Sequence, residues 1–254
     1  MELWTPAHTR TLIPALIVMF LLSALLRLAL GKKDLSVRMI PFQILACIIV
    51  LLEVGKQVIS LLRGYDLYHL PFHFCSLYIF MLPMMAFYKG KHRQAVQSIT
   101  AAITASLFLL MLIYPNLIYS AGNIENYFHD YMDFHTVTFH NVVMLSFLLI
   151  LTLDLHAARR KGELKYSMWF IAGFCTVSAS MAHLLKTNYA NYYSCNIPLL
   201  ETVRLNVENA IGAVPAKLLY ILIVSSLNFL FVALSYGVYL LSKKLLRKKE
   251  SVVT

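Results

Sequence analysis

The sequence predicts an all-α, polytopic membrane protein: a bundle of seven transmembrane helices forming one integral membrane domain over residues 1–254. Hydrophobic residues make up 59% of the chain and charged residues only 13%, whereas a soluble globular domain carries about 25% charged residues. Too few charges are present to cover a surface that faces water. The apolar residues also stand in long blocks, which is typical of helices surrounded by lipid.

Seven apolar segments account for these blocks, and each is close to the roughly 20 residues that a spanning helix needs. They cover residues 11–30, 40–62, 70–88, 95–118, 135–155, 165–186 and 214–242. The longest connection, residues 187–213, is rich in Asn and Tyr. A connection of that length is often a functional lid, and its aromatic residues favour an interfacial or re-entrant position.

The connecting regions alternate between basic ones and ones that are poor in Lys and Arg. The basic regions hold Lys32, Lys33 and Arg38; Lys89, Lys91 and Arg93; Arg159, Arg160, Lys161 and Lys165; and the tail from Lys243 to Lys249. The positive-inside rule places them in the cytoplasm, so we expect the N-terminus outside and the C-terminus in the cytoplasm. These clusters explain the net charge of +10. A nucleic-acid binder would instead gather basic residues on one face with aromatic residues between them, so no nucleic-acid partner is expected.

This topology brings ionisable residues from five segments to one plane in the outer half of the bilayer. They are Glu53, Lys56, His73, His140, His183 and Lys217. Ionisable groups are costly in hydrocarbon, and those found within spans usually serve a function. The pattern therefore predicts a membrane-embedded polar pocket.

The spacing within each segment indicates how these side chains are used. Glu53 and Lys56 are three residues apart and can pair on one helix face, either as a site or as a structural ion pair. Thr136 and His140 are four apart, which allows a hydroxyl nucleophile with a histidine base. We expect the neighbouring His135 to point elsewhere, toward the lipid headgroups.

The segment from His69 to Cys75 is expected to open the third helix, with Pro71 in its first turn. His73 and Cys75 are two residues apart and would then point to different sides. A simple Cys75–His73 nucleophile–base pair is therefore not predicted, and packing is the favoured role for Cys75. The four cysteines show no CxxC spacing, which argues against a disulfide scaffold or a zinc site.

In the sixth segment, His183 and Lys186 are three apart, and Asn188 follows. Together with Lys217 they would make the pocket positive and suited to a lipid phosphate or a carboxylate. Three histidines could instead hold a metal ion, but nearby lysines repel a cation. We therefore expect neither a metal nor another cofactor.

Short motifs around these residues resemble the YwaF family of bacterial integral membrane proteins and its eukaryotic relatives, the transmembrane protein 164 family, over about residues 40–240. The matching pieces are Glu53-Val54-Gly55-Lys56, Leu70 to Leu77, Phe134-His135, Phe139-His140, Asn188-Tyr189, Pro198, and Ile211 to Pro215 leading into Lys217.

The resemblance implies a multi-pass protein of the bacterial plasma membrane. In the eukaryotic branch it implies acyl transfer between phospholipids, with a cysteine beside the third-helix histidine as nucleophile. Here Phe72 precedes His73, and the nearest cysteine is Cys75, so that nucleophile does not carry over. The residues that do carry over are Glu53, Lys56, His73, His140, His183 and Lys217.

Three functions fit these observations. The first is a lipid-acyl enzyme, an acyltransferase or hydrolase, that acts on a membrane phospholipid or another acyl lipid. In it His73 or His140 would be the base, Thr136 or Cys75 a possible nucleophile, and Lys56 and Lys217 would bind the phosphate or oxyanion. The second is a non-enzymatic binder or transporter of a lipid or anion. The third is a structural membrane subunit whose polar groups stabilise helix packing.

Overall fold

The computed structural model describes residues 2–153 and 163–253, and for residues 163, 243 and 245–253 it describes the backbone alone. The described residues form helices and no strands. Their α-helices are α1 (Pro6–Leu30), α2 (Leu35–Arg38), α3 (Ile40–Leu62), α4 (Leu77–Phe87), α5 (Arg93–Ile113), α6 (Pro115–Ile118), α7 (Ala121–Glu125), α8 (Tyr131–Thr152), α9 (Glu163–Leu184), α10 (Pro198–Ile211) and α11 (Ala213–Val253). The basic residues Arg159, Arg160 and Lys161 lie outside the described ranges.

Six helical stretches among the described residues are long and apolar enough to cross a membrane. They are α1, α2 with α3, α5, α8, α9 and the part of α11 up to Ser242. Helix α4 has 11 residues, about 16 Å of helix, and falls short of a hydrocarbon core of about 30 Å. The all-helical, multi-pass architecture is therefore confirmed, while the count of seven crossings and the orientation of the termini stay predictions.

The third apolar segment differs from its expected form. Its helix begins at Leu77 rather than near residue 70, so Pro71 is not in a first helical turn. Proline disfavours the helical conformation of the residue before it, and Leu70 is extended, with φ −63° and ψ 146°. Residues 70–76 consequently run outside regular helix before α4 starts.

Helix α5 lies at the centre of the bundle and packs against α4, α8, α9 and α11. Small side chains allow this close packing, because Ala101, Ala102 and Ala105 are almost fully buried. Helices associate in membranes through close contacts of this kind. Helix α10, in contrast, has no buried residue and packs against α11.

The regions poor in Lys and Arg meet at one end of the bundle. His8 Nε2 donates to the Tyr119 carbonyl at 2.8 Å, which ties the N-terminus to the connection after α5. Arg63 and Asp130 form an ion pair at 2.7 Å, which joins two further connections. Tyr189 donates to the Leu67 carbonyl and brings the 187–213 region to the same end.

Candidate functional site

A cavity of about 340 Å³, here called the polar cavity, lies among α3, residues 67–76, α8, the 188–196 region and α11. Most of the site residues expected from the sequence line it: Glu53, Lys56, His73, Cys75, Thr136, His140 and Asn188. Apolar side chains from α4, α5 and α6 form the rest of the wall. Helix packing thus brings together residues that are up to 135 positions apart in the chain.

Glu53 contacts three polar side chains, two of them on its own helix. Its Oε1 accepts from Lys56 Nζ at 2.8 Å and from Gln57 Nε2 at 2.7 Å. Its Oε2 lies 3.5 Å from His135 Nε2, a long contact between two buried atoms. Because both charged side chains are largely buried, they stabilise each other, and loss of either one would leave the other unpaired.

Hydrogen bonds extend from this ion pair to the turn after α3. Gln57 Nε2 also donates to the His69 carbonyl at 3.0 Å, and Gln57 Oε1 accepts from the Tyr65 hydroxyl at 2.7 Å. Ser60 Oγ and His69 Nδ1 are 2.6 Å apart. The turn that carries residues 65–69 is therefore fixed relative to Glu53, which holds one wall of the cavity in place.

His73 lies on the non-helical segment and is packed between aromatic rings. Its ring centroid is 4.4 Å from that of Tyr68 and 5.4 Å from that of Tyr189. Its Nε2 is 3.0 Å from the Tyr68 carbonyl. A carbonyl oxygen only accepts, so Nε2 carries the hydrogen, and Nδ1 holds the lone pair of the neutral ring.

In His140 the nitrogen that is free to accept a proton is Nε2, whereas in His73 it is Nδ1. Its Nδ1 donates to the Thr136 carbonyl at 2.7 Å, so Nε2 of the neutral ring holds the lone pair. That nitrogen is buried and has no hydrogen-bond partner within the described chain. The side chain is only 6% exposed, so a ligand in the cavity is well placed to become its partner.

Neither Thr136 nor Cys75, the two possible nucleophiles expected from the sequence, is hydrogen-bonded to a histidine base of the described chain. The Thr136 hydroxyl donates to the Met132 carbonyl at 2.8 Å. The hydroxyl–imidazole pair that its spacing from His140 allowed is thus replaced by two hydrogen bonds to backbone carbonyls. The hydrogen bonds of His73 and His140 go to backbone carbonyls, so neither bond engages the Cys75 thiol, which needs a base or a nearby cation to become a thiolate nucleophile.

The 188–196 region closes one side of the cavity and is pinned by its own hydrogen bonds. Asn188 Nδ2 donates to Asn196 Oδ1 at 2.9 Å, and Asn188 Oδ1 accepts from the backbone of Ser194 at 3.2 Å. Ala190 and Asn191 adopt positive φ angles of 47° and 63°. An alanine in this left-handed region is strained, so the tertiary contacts of the region hold it there.

Three expected site residues lie outside the polar cavity. His183 packs against Tyr193, with ring centroids 5.7 Å apart, and the side chains of Lys186 and Lys217 are exposed. Among the ionisable lining residues, Lys56 is paired with Glu53. Lys186 and Lys217 therefore do not add positive charge to the lining of the polar cavity.

Other lining residues were not expected from the sequence. His135 lines the cavity beside Glu53 instead of pointing to the headgroups, because the first turn of α8 packs against α3. Asn191 and Asn228 also line it. Asn228 is an isolated amide within an apolar segment, a signal that could have identified it. Asn191 carries no such signal, since it lies among several other Asn and Tyr residues.

Among the residues described here, no group of three His, Cys, Asp or Glu side chains is arranged to hold a metal ion.

Comparison with known proteins identifies one family. The TMEM164 family matches residues 3–239, almost the whole chain, which confirms that part of the sequence resemblance; the relation to the bacterial YwaF family stays a prediction. No curated protein and no solved structure matches the chain. The match is compatible with a membrane protein of lipid biology.

Proposed function

The chain belongs to the TMEM164 family, and on that premise we propose that it is a membrane-embedded enzyme acting on lipid acyl groups, as a phospholipid acyltransferase or hydrolase. One observation carries the proposal: the Glu53–Lys56 ion pair and the imidazoles of His73, His135 and His140 converge on one cavity. Ionisable groups gathered within membrane segments are expensive and usually functional.

His140 is the best-prepared general base. Its Nδ1–H is held by the Thr136 carbonyl, which fixes the ring orientation and leaves Nε2 free to take a proton. His73 is fixed in the opposite sense, with Nε2–H on the Tyr68 carbonyl and Nδ1 free. Either oriented imidazole can supply the base that acyl transfer requires, and His140 is the more deeply buried of the two.

The attacking group in this mechanism is a hydroxyl that comes with the substrate. It belongs to a lipid in the transferase reaction and to water in the hydrolase reaction. Thr136 and Cys75 are not activated in this geometry, whereas an external hydroxyl can approach His140 Nε2 directly. An activated nucleophile needs its base within hydrogen-bond reach.

The reaction then proceeds through one tetrahedral intermediate. The hydroxyl oxygen bonds to the ester carbonyl carbon while His140 Nε2 takes its proton. The carbonyl oxygen becomes an oxyanion, which a remaining N–H of Lys56 stabilises. The intermediate collapses by breaking the bond to the original alcohol oxygen, and that oxygen takes the proton back from the imidazolium. A new ester or a free fatty acid is released with the original alcohol.

We expect this site to open toward the outer leaflet of a bacterial plasma membrane. The support for this is the positive-inside distribution of the connecting regions. The cavity lies at the end of the bundle where the regions poor in Lys and Arg meet.

Replacement of His140 tests the proposal. His140→Asn keeps a donor near the Thr136 carbonyl but removes the base nitrogen, so turnover should fall by about 10²–10⁴-fold. The measurement is transfer or release of a radiolabelled acyl chain from phosphatidylcholine, by purified protein in nanodiscs, with lysophospholipid or water as acceptor. His129→Ala, which removes an exposed histidine outside the cavity, should leave turnover unchanged.

His73→Ala is measured alongside, and its helical content and unfolding midpoint show whether the fold is intact. Full turnover in both folded His140→Asn and folded His73→Ala would refute the enzymatic proposal. Lipid binding without turnover in the wild-type protein would favour the non-enzymatic binder instead.

A further inference from the structure

A second cavity, here called the apolar chamber, lies between α10 and α11 and has a volume of about 720 Å³. Leu200 and Val203 of α10 line it opposite Leu219, Ile223 and Leu227 of α11. Its charged lining residue, Arg204, is held by Glu201 and Glu208 on its own helix. The chamber therefore offers its occupant an apolar surface.

The apolar chamber adjoins the polar cavity and shares part of its wall. Six residues line both: Leu110, Leu117, Ala190, Asn191, Asn228 and Phe231. A molecule with one part in each cavity would pass beside these six residues. The junction joins a compartment with an ion pair and imidazoles to a larger one with aliphatic walls.

Two amides mark this junction. Asn228 Nδ2 donates to the Val224 carbonyl at 3.0 Å. The Oδ1 atom of Asn191 is buried and has no hydrogen-bond partner within the described chain. The Tyr220 hydroxyl donates to the Asn191 carbonyl at 2.7 Å, which holds the residue against α11. Buried polar atoms are rarely left unpaired, so Oδ1 indicates a ligand donor, such as a lipid hydroxyl, at this point.

The dimensions of the chamber fit a single hydrocarbon chain. Its lining residues on α11 run from Ala216 to Leu234, which is about 27 Å of helix. One leaflet of the hydrocarbon core is about 15 Å thick, so an extended acyl chain fits along this length.

The chamber is also open to the bilayer from the side. The side chains of Leu219, Leu227 and Leu234 line it and are nevertheless 43–60% exposed. In a membrane this opening faces lipid tails. A chain can therefore enter sideways, without the headgroup having to cross the protein.

We propose that the apolar chamber holds one acyl chain of a lipid whose ester lies in the polar cavity. The chain passes between the two compartments beside Asn191 and Asn228. This inference rests on the proposed acyl chemistry for the position of the ester, but occupancy of the chamber can be measured without any turnover.

The test uses phosphatidylcholine with a photoactivatable diazirine at the end of one acyl chain. The protein is irradiated in nanodiscs, and crosslinked residues are located by mass spectrometry. Leu227→Trp fills the chamber, whereas Leu222→Trp makes the same change on the same helix outside the chamber lining. Leu227 and Leu222 are similarly exposed, at 59% and 65%, so the second variant controls for the bulk of the indole.

Crosslinks should concentrate on the chamber face of α10, around Val203 and Val207. Leu227→Trp should reduce their yield by about tenfold or more, since an occluded apolar pocket loses its ligand strongly, and Leu222→Trp should leave it unchanged. Crosslinks spread evenly over lipid-facing residues, or equal yields in the two variants, would overturn the inference.

The outcome separates this inference from the enzymatic one. Crosslinks in the chamber of a protein that shows no turnover would support lipid binding there and refute the enzymatic proposal. Turnover together with evenly spread crosslinks would support the enzymatic proposal and refute acyl-chain binding in the apolar chamber.

Discussion

Individual residues decide what the polar cavity can do. A carboxylate in a membrane span needs compensation, and Glu53 obtains it from Lys56 and Gln57 on its own helix. His135, from another helix, approaches the remaining oxygen. Because the two charges are paired within one turn of α3, the wall of the cavity holds no unpaired Glu53 or Lys56 charge.

Gly55, between these two charged residues, allows Tyr131 to pack closely against α3. A Cβ atom built at Gly55 would lie 1.9 Å from the Tyr131 hydroxyl oxygen, which donates to the Leu52 carbonyl. We expect Gly55→Ala to lower the free energy of unfolding by about 1–3 kcal/mol, because the added methyl group displaces the tyrosine. The midpoint of unfolding in a denaturant titration, followed by circular dichroism, measures the effect.

Gly173→Ala is the matched control, since Gly173 lies in α9 and a Cβ atom there meets nothing within 4 Å. A helical Gly→Ala change without a steric clash raises stability by about 0.4–1 kcal/mol. If Gly55→Ala were as stabilising as Gly173→Ala, Tyr131 would not be packed against Gly55 as described.

Among the single elements, the third apolar segment is unusual because its residues 70–76 are not helical. Non-helical backbone at membrane depth is tolerated where it is buried in protein or lines a cavity. Residues 73–76 line the polar cavity, so the interruption before α4 coincides with the site. Helix α10 has a different role, because it forms one wall of the apolar chamber and packs chiefly on α11.

The stability of helix α10 should depend on pH through Glu201, which is paired with Arg204 on the same helix. Arg204 donates two hydrogen bonds to this carboxylate, at 2.7 and 2.9 Å, and they hold the pKa of Glu201 below its usual range. A depressed pKa stabilises the folded form above the ordinary glutamate value of about 4.3. That contribution disappears as the pH falls through the lowered folded pKa.

Glu201→Gln imitates the protonated state at neutral pH. Amide hydrogen exchange in α10 should then be about 2–5-fold faster, because a partly exposed ion pair contributes at most about 1 kcal/mol. Glu125→Gln, which changes an exposed glutamate on α7, should leave exchange in α10 unchanged. Equal exchange in α10 of the wild-type and Glu201→Gln proteins at pH 7 would show that the pair does not hold this helix.

In the whole molecule, contacts between the loops show which loops lie at the same end of the bundle and so limit the possible topologies. The Arg63–Asp130 pair puts the turn after α3 and the loop before α8 at one end. At the other end, Arg38 donates to the Leu153 carbonyl at 2.8 Å, next to the last turn of α8. A basic residue at a helix C-terminus interacts favourably with its unpaired carbonyls.

Single cysteines in a cysteine-free background test the membrane orientation. We expect Phe128→Cys, 90% exposed in wild type, to react with a membrane-impermeant maleimide from outside intact cells. Lys91→Cys should react only after the membrane is permeabilised. Since residue 128 lies on the same side as the turn after α3, this result would make residues 70–87 a crossing. Labelling of both positions from outside would contradict the seven-span topology.

The sequence by itself determined that the protein is a multi-pass helical membrane protein. Long apolar blocks and few charges can only be accommodated by lipid-facing helices, whatever their neighbours. It also selected Glu53, Lys56, His73 and His140, because ionisable residues stand out in apolar segments without any knowledge of packing.

Only the tertiary structure decided which of these groups share a cavity. Rotation of each helix about its axis brought His135 to Glu53 and left Lys186 and Lys217 exposed, and periodicity does not fix such rotations when a helix is apolar all round. The start of α4 at Leu77 and the chamber between α10 and α11 depend on contacts between distant segments. Local sequence does not predict such contacts, because they stabilise the protein only when both distant segments have packed together.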